Sequence, residues 1–600
     1  MDFGMPYYTP MDKSYHSDIQ HTDRRSDIEQ QSLFSINQIG QTVPEVDPSG
    51  RNRSVIENVE AAIKGGAGNV QIVMSVVGQT SGMGGGPKAY GEDVREAIRD
   101  VQRVSGAKIT GVELPTQISN LSGFSQQGFS EQQRKTALEE VKDSIKFIGD
   151  IAGGGGVDVL SWEFPRNFSD AKWFNKKEGF EQKGEEIPAI VDTQTGNIQQ
   201  FHPKQKFYMY KKPGTNEDTP GKPQEWLWKD FKILAEKEGK RAEDVFVKEY
   251  LQKQEERQIK HQESTLTYYS DMYAEQIEGW KRQLEDKNIP EEYKKRIKEN
   301  IKRVNERLET EKEQLTMLEL EKKRIEDYKT RYQPVDTFGL QKAAQSYGEA
   351  GIWAMQESQK NQYVQHGKGS IYVGPEIGWP QFYGSHPKEW VELIKTSRDE
   401  MSRQLTDKSS PYFDSSISKQ QAEKIAREHI KGEVDTSHIG MWLQNFKPEL
   451  PWDKRVSEFK NWFKDQMEYL AEENKKYDLI GGVQIVDSAS GAHGHLPPGQ
   501  GILGKDIYEY MKILKEKGGY KGELTSEGHE EERMGQGRIL TKAWETFGVP
   551  IGSNYWHGRA MPQFRDIRNS YANIAYGTTG IFQSYVPSND FQLWSQVPLE

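Results

Sequence analysis

Asp435 and His438 stand three residues apart in "KGEVDTSHIGMW", where a short apolar run ends. A carboxylate and an imidazole at the end of a β-type run project past the edge of a sheet, where parallel-sheet enzymes keep their reactive groups. The same Asp435 and Thr436 could instead cap the next helix. Three further acids end β-type runs: Glu376 in "VGPEIG", Asp487 in "VQIVD" and Glu527 in "LTSEGHEEE". Each alone could cap a helix or pair with a lysine. Gathered at one mouth, they would suit a hard divalent cation (Zn, Mn, Co or Mg) held by carboxylate and imidazole. In "SGAHGHLPPGQG", His493 and His495 alternate before a Pro and Gly turn, so in an extended loop both would point the same way; a plain surface loop is the other reading. The chain has no cysteine, which excludes disulfides, thiolate ligands and cysteine nucleophiles and leaves any metal to His, carboxylate or amide groups.

The elements that must position these groups follow a βα rhythm. Residues 1–52 are polar, without a sustained period, and read as a disordered or loosely attached arm. From Val55 onward, "NVQIVMS", "KITGVELP" and "VDVLSWEFP" alternate with helical segments such as "EQQRKTALEEVKDSIKFIGDIA". Parallel strands need such crossovers. The rhythm stops after Pro165 for roughly 170 residues, too long for a βα connection, so 168–335 reads as an inserted subdomain. It opens with a β-hairpin turning near Thr195 and Gly196 and continues as an antiparallel helical hairpin. The hairpin's seam is Leu266, Tyr269, Tyr273, Trp280 and Leu284 against Ile297, Ile301, Val304, Leu308, Leu315, Leu318, Ile325 and Tyr328. Strands return at "SIYVGPEIG", "KGEVD", "GGVQIVD", "KGELTSE" and "VPIGSNYW". The expected fold is therefore α/β, an eight-stranded βα barrel formed by 53–167 and 336–600 and interrupted after its third strand.

A net charge of −11, with 28% charged residues and a mean hydropathy of −0.87, argues against a generally basic nucleic-acid binder and against a membrane protein. No apolar run reaches the ~20 residues a membrane span needs, and the N-terminal stretch has no signal-peptide pattern. A soluble cytoplasmic protein is the expectation. The glycine-rich "VVGQTSGMGGGPKAYGEDV" lacks both phosphate-loop frames and reads as a flexible first barrel loop.

"VDTSH", a following strand ending in Asp, "HLPPGQG" and "GYKGELTSE" together resemble the xylose-isomerase-like TIM-barrel superfamily, which includes sugar isomerases, epimerases and the apurinic-endonuclease branch. The likeness covers most of 66–165 and 336–580. It implies metal ligands at Glu376, Asp435 and Glu527, on the fourth, fifth and seventh strands, with His438 and His495 binding metal or substrate. The usual sixth-strand histidine falls on Gln484, whose amide oxygen is a weaker ligand. Glu113 and Glu163 stand near the strand ends where the endonuclease branch has histidines, and His493 replaces its aspartate, so a one-metal or altered site is implied. Three functions follow as expectations. The leading one is a metal-dependent sugar or sugar-phosphate isomerase or epimerase using Glu376 and Glu527 as acid and base, with His438, His493, His495 and, for a phosphate, His557 and Arg559 around the substrate. The second is a metal-dependent endonuclease; the third is a non-catalytic barrel with the helical hairpin as its partner arm. His529 is a lesser site candidate.

Overall fold

The computed structural model describes residues 32–46, 54–75, 85–367, 369–527 and 538–549. They form two compact units: one contains most of the chain up to Lys183 and from Gly339 onward, the other is Gln126–Phe129 with Gly184–Phe338.

The first unit is α/β, with a closed barrel of eight parallel strands. In chain order these are β1 (Ile39–Pro44), β2 (Asn69–Val73), β3 (Lys108–Glu113), β4 (Gly155–Leu160), β5 (Ile371–Glu376), β6 (Gly432–Asp435), β7 (Ile480–Gln484) and β8 (Leu524–Ser526). Each pairs with its sequence neighbours, and β8 closes onto β1 through Ile39 opposite Leu524. Helices carry the chain back between strands. Glu131–Ala152 shows why such a segment forms: Ser130 caps its first turn by accepting from the Gln133 amide, Val141, Ile145 and Ile148 bury one face at helical spacing, and Gly153 ends it at φ 67°.

Two expectations need correction. The segment read as a loose arm contributes the first barrel strand, because "IGQTVP" is short and half polar yet pairs along both edges. Every later strand therefore moves up one place. The chain leaves the barrel after its fourth strand; Glu376 and Asp435 end the fifth and sixth, and Glu527 follows directly after the eighth. "VPIGSNYW" is not needed for closure and, beyond Val549, lies outside the described residues. So do 1–31, the glycine-rich loop over 76–84, His529, His557 and Arg559.

In the second unit, Ala189–Asp192 pairs antiparallel with Ile198–Gln200, turning through Gly196, and with Tyr332–Pro334. Phe207, Trp226, Phe231 and Phe246 form an aromatic core there. Helices Lys253–Leu284 and Glu291–Glu326 pack against each other, with Ile297, Leu308, Leu318 and Ile325 at most 8% exposed in their seam. Among the described residues, no helix is long and apolar enough to cross a membrane.

Candidate metal centre

Side chains alternate along each strand, so those two residues apart share a face. Glu433 and Asp435 on β6 both turn into the barrel, as do Gln71, Glu113, Asp158, Glu376 and Gln484 on their own strands; Glu527 follows directly after β8. All are at most 7% exposed. Six of these residues are acids, and no lysine or arginine pairs with any of them among the described residues. Glycine makes the room: a Cβ on Gly482 would sit 2.7 Å from Glu433 Oε1.

One ligand atom from each of Glu376, Asp435 and His438 lies within 4.8 Å of the others. Asp435 caps the next helix with one carboxylate oxygen and leaves the other unengaged. Its Oδ1 accepts from the His438 amide at 2.7 Å and the Ser437 hydroxyl at 2.9 Å, capping the short helix Thr436–Gly440, while its buried Oδ2 has no partner. That cap also aims His438. Its Nδ1 lies 2.6 Å from the Ile377 carbonyl and therefore carries the proton, with Glu376 Oε1 at 3.1 Å. The Nε2 lone pair is left buried without a partner, as are Glu376 Oε2 and Gln484 Oε1. A histidine that donates one ring N–H to a carbonyl and leaves the other nitrogen bare is oriented as a metal ligand. Four such atoms on carboxylate, imidazole and amide side chains fit a hard or borderline divalent cation.

Burial dominates the acidity of the cluster. It lifts Glu113 to about 7, opposed by the Gln484 amide that donates to its Oε2 at 3.2 Å. Burial raises Glu376 well above the usual carboxyl range, and the neighbouring charges of Glu113, Asp435 and Glu433 push the same way. Glu527 is raised by burial too, against the pull of His495, whose Nε2 is 3.2 Å from Glu527 Oε2. Beside it, His493 and His495 bring their Nε2 atoms to 3.2 Å, and the His493 ring stacks on His438 at 5.2 Å between centroids. Of the expected ligands, Glu376, Asp435 and His438 come together within ligand distance of one another; Gln484 hydrogen-bonds to Gln71 and Glu113, and Glu527 pairs with His495.

Asp487 is a correction. Its carboxylate accepts four backbone amides, from Ser488, Gly501, Leu503 and Gly504 at 2.8 to 3.0 Å. This ties down the His493 and His495 loop and leaves nothing for a ligand. The approach is close enough to require glycine at 501, where a Cβ would meet Asp487 Oδ1 at 2.5 Å. Glu163 holds the loop after β3 in the same way, accepting from the Leu121 and Ser122 amides and the Tyr347 hydroxyl. Glu45, after β1, accepts from the amides of Ser75, Gly85 and Gly86 and from the Tyr90 hydroxyl. Strand-end acids therefore fall into two kinds: loop anchors with their oxygens engaged, and centre acids with bare ones.

Gln71, Asp158 and Glu433 have no counterpart among the expected site residues. Their signal was a polar residue at an inward position of an otherwise apolar strand, in "NVQIV", "GVDVL" and "GEVD".

The fold and site together define a parallel eight-stranded barrel with a carboxylate and imidazole centre at the carboxyl ends of its strands. No protein-family model matches the chain, and no curated protein matches it.

Proposed function

We propose that this chain is a divalent-cation-dependent isomerase or epimerase of sugars or sugar phosphates, built on a (β/α)8 TIM-type barrel with the second compact unit inserted between its fourth and fifth strands. The observation that carries the reading is the His438 tautomer beside two acids: with Nδ1 engaged by the Ile377 carbonyl, Nε2 is buried without a partner, as are oxygens of Glu376, Asp435 and Gln484, and His438 lies within ligand distance of Glu376 and Asp435. Uncompensated polar atoms this deep cost free energy that a bound cation returns. Glu376, Asp435 and His438 would hold it, with Gln484 and Glu527 beside them. A cation there supplies Lewis-acid polarisation of a hydroxy-carbonyl compound.

The chain's own residues account for the proton movement. Of Glu376 and Glu527, one takes a proton from the carbon next to the carbonyl and the other returns a proton, to the adjacent carbon in an isomerase or to the opposite face in an epimerase. Burial raises both carboxyls above their usual range, and a cation held beside them would draw them back toward the ionised form that a base needs. His495, paired with Glu527, orients the substrate oxygens, while both nitrogens of His438 are taken by the Ile377 carbonyl and the cation. The depth of the acids favours a small polar substrate over a nucleic-acid backbone, which needs an open, basic rim.

Incubating the Mn2+-loaded protein with a panel of aldoses, ketoses and their phosphates in D2O tests the reading. Deuterium incorporation next to the carbonyl, lost in Glu527→Gln, is expected. A protein that binds the cation yet exchanges no substrate proton across the panel contradicts it.

A further inference from the structure

Gln71 lies one layer deeper than the metal centre and touches none of Glu376, Asp435 or His438 in any hydrogen bond, yet its hydrogen bonds run in one direction only. Its Nε2 donates to Glu433 Oε2 at 2.7 Å and to Asp158 Oδ2 at 3.2 Å. Asp158 and Glu433 are raised well above the usual carboxyl range by burial and hydrogen-bond to each other; with that proton engaged between them, the oxygens they turn to Gln71 are acceptors, which an amide N–H satisfies and a carbonyl oxygen would not. The acids below thus fix the Gln71 oxygen upward, where it accepts from Gln484 Nε2 at 3.3 Å. The same Gln484 nitrogen donates to Glu113 Oε2. With its amide nitrogen held on that side, Gln484 turns Oε1 away as a buried acceptor without a partner.

We infer that Gln71 is a positioning residue: it relays the polarity of the Asp158 and Glu433 carboxyls through two amides and thereby presents the Gln484 oxygen, rather than its nitrogen, to the cation. This rests on the metal reading above and deepens it. An amide has two nearly isosteric ends, and only one can bind a cation. A glutamine ligand therefore needs an orienting partner that an imidazole at that position would not.

The test is Mn2+ affinity, by titration calorimetry, together with the visible spectrum of the Co2+ form. Gln71→Met keeps the length and removes both halves of the relay. It is expected to weaken Mn2+ binding about 10- to 100-fold, the usual effect of losing a residue that orients a ligand, and to alter the Co2+ bands. Gln71→Asn, one methylene too short to span both sets of partners, is expected to weaken binding too and serves if the methionine variant fails to fold. In a Gln484→His background the same substitutions are expected to change affinity less than about threefold, since no amide is left to orient. Equal weakening in both backgrounds would mean a merely structural role and overturn the inference, as would no weakening in either. A wild-type protein that binds neither Mn2+ nor Co2+ would overturn the metal reading itself, and this inference with it.

Discussion

Glu113→Gln is expected to make the metal-free protein more stable at neutral and alkaline pH and to leave it unchanged in acid. Glu113 is raised by burial from 4.5 to about 7. A carboxyl raised on folding contributes stability that is fully present below its unfolded pKa and is lost as pH climbs through the folded one. Between pH 4.5 and 7 the folded chain keeps a proton that the unfolded chain has released, so stability falls across that window. At about 1.4 kcal/mol per pH unit, the loss is on the order of 3 kcal/mol at pH 8. Glutamine has nearly the same shape, its oxygen can still accept from Gln484 Nε2, and it does not titrate. In chelator-treated samples followed by calorimetry, the variant is expected to melt about 4 °C above wild type at pH 8 and within about 1 °C of it at pH 4.5. Saturating Mn2+ should shrink the difference at pH 8, because a nearby cation favours the ionised Glu113 of the wild type. A variant that melts below wild type by the same amount at both pH values would show that Glu113 acts through packing alone, and would refute the argument.

Further expectations follow from the same geometry. His438→Ala and Asp435→Ala should each lower Mn2+ affinity by at least about 100-fold, read by titration calorimetry, because each deletes a ligand atom that nothing else in the cluster replaces. Asp487→Ala should lower the melting temperature because four backbone amides lose their carboxylate acceptor, at roughly 1 kcal/mol or more each, while Mn2+ stoichiometry measured by elemental analysis stays the same. Leu318→Glu should open the helical hairpin, seen as faster hydrogen exchange over 253–326, and leave Mn2+ affinity unchanged.

The βα rhythm was legible in the sequence wherever strands were apolar and β-branched, as in "NVQIV" and "VDVL". It failed at "IGQTVP", where a glycine, a glutamine, a threonine and a proline conceal a strand held in place by both neighbours rather than by its own propensity. That one miss shifted the whole strand count and sent the eighth strand to the wrong segment. The buried cluster was legible in part, since residue type and strand-end position mark Glu376, Asp435 and His438, which the structure brings together. Sequence could not separate Asp487 from them. Both kinds of acid end a strand, and only the direction of loop amides distinguishes an anchor from a ligand. Gln71, Asp158 and Glu433 were passed over because single polar residues inside apolar strands look like interruptions until alternation turns them into a barrel interior.

Metal content by elemental mass spectrometry, on purified wild type and on Asp435→Ala and Glu527→Gln, tests the central claim most directly. About one Mn, Co, Zn or Mg per chain, lost in the Asp435 variant and reduced in the Glu527 variant, is the expected result. No metal in any sample, even after reconstitution with each of the four ions, would contradict a cation centre at the mouth of this barrel.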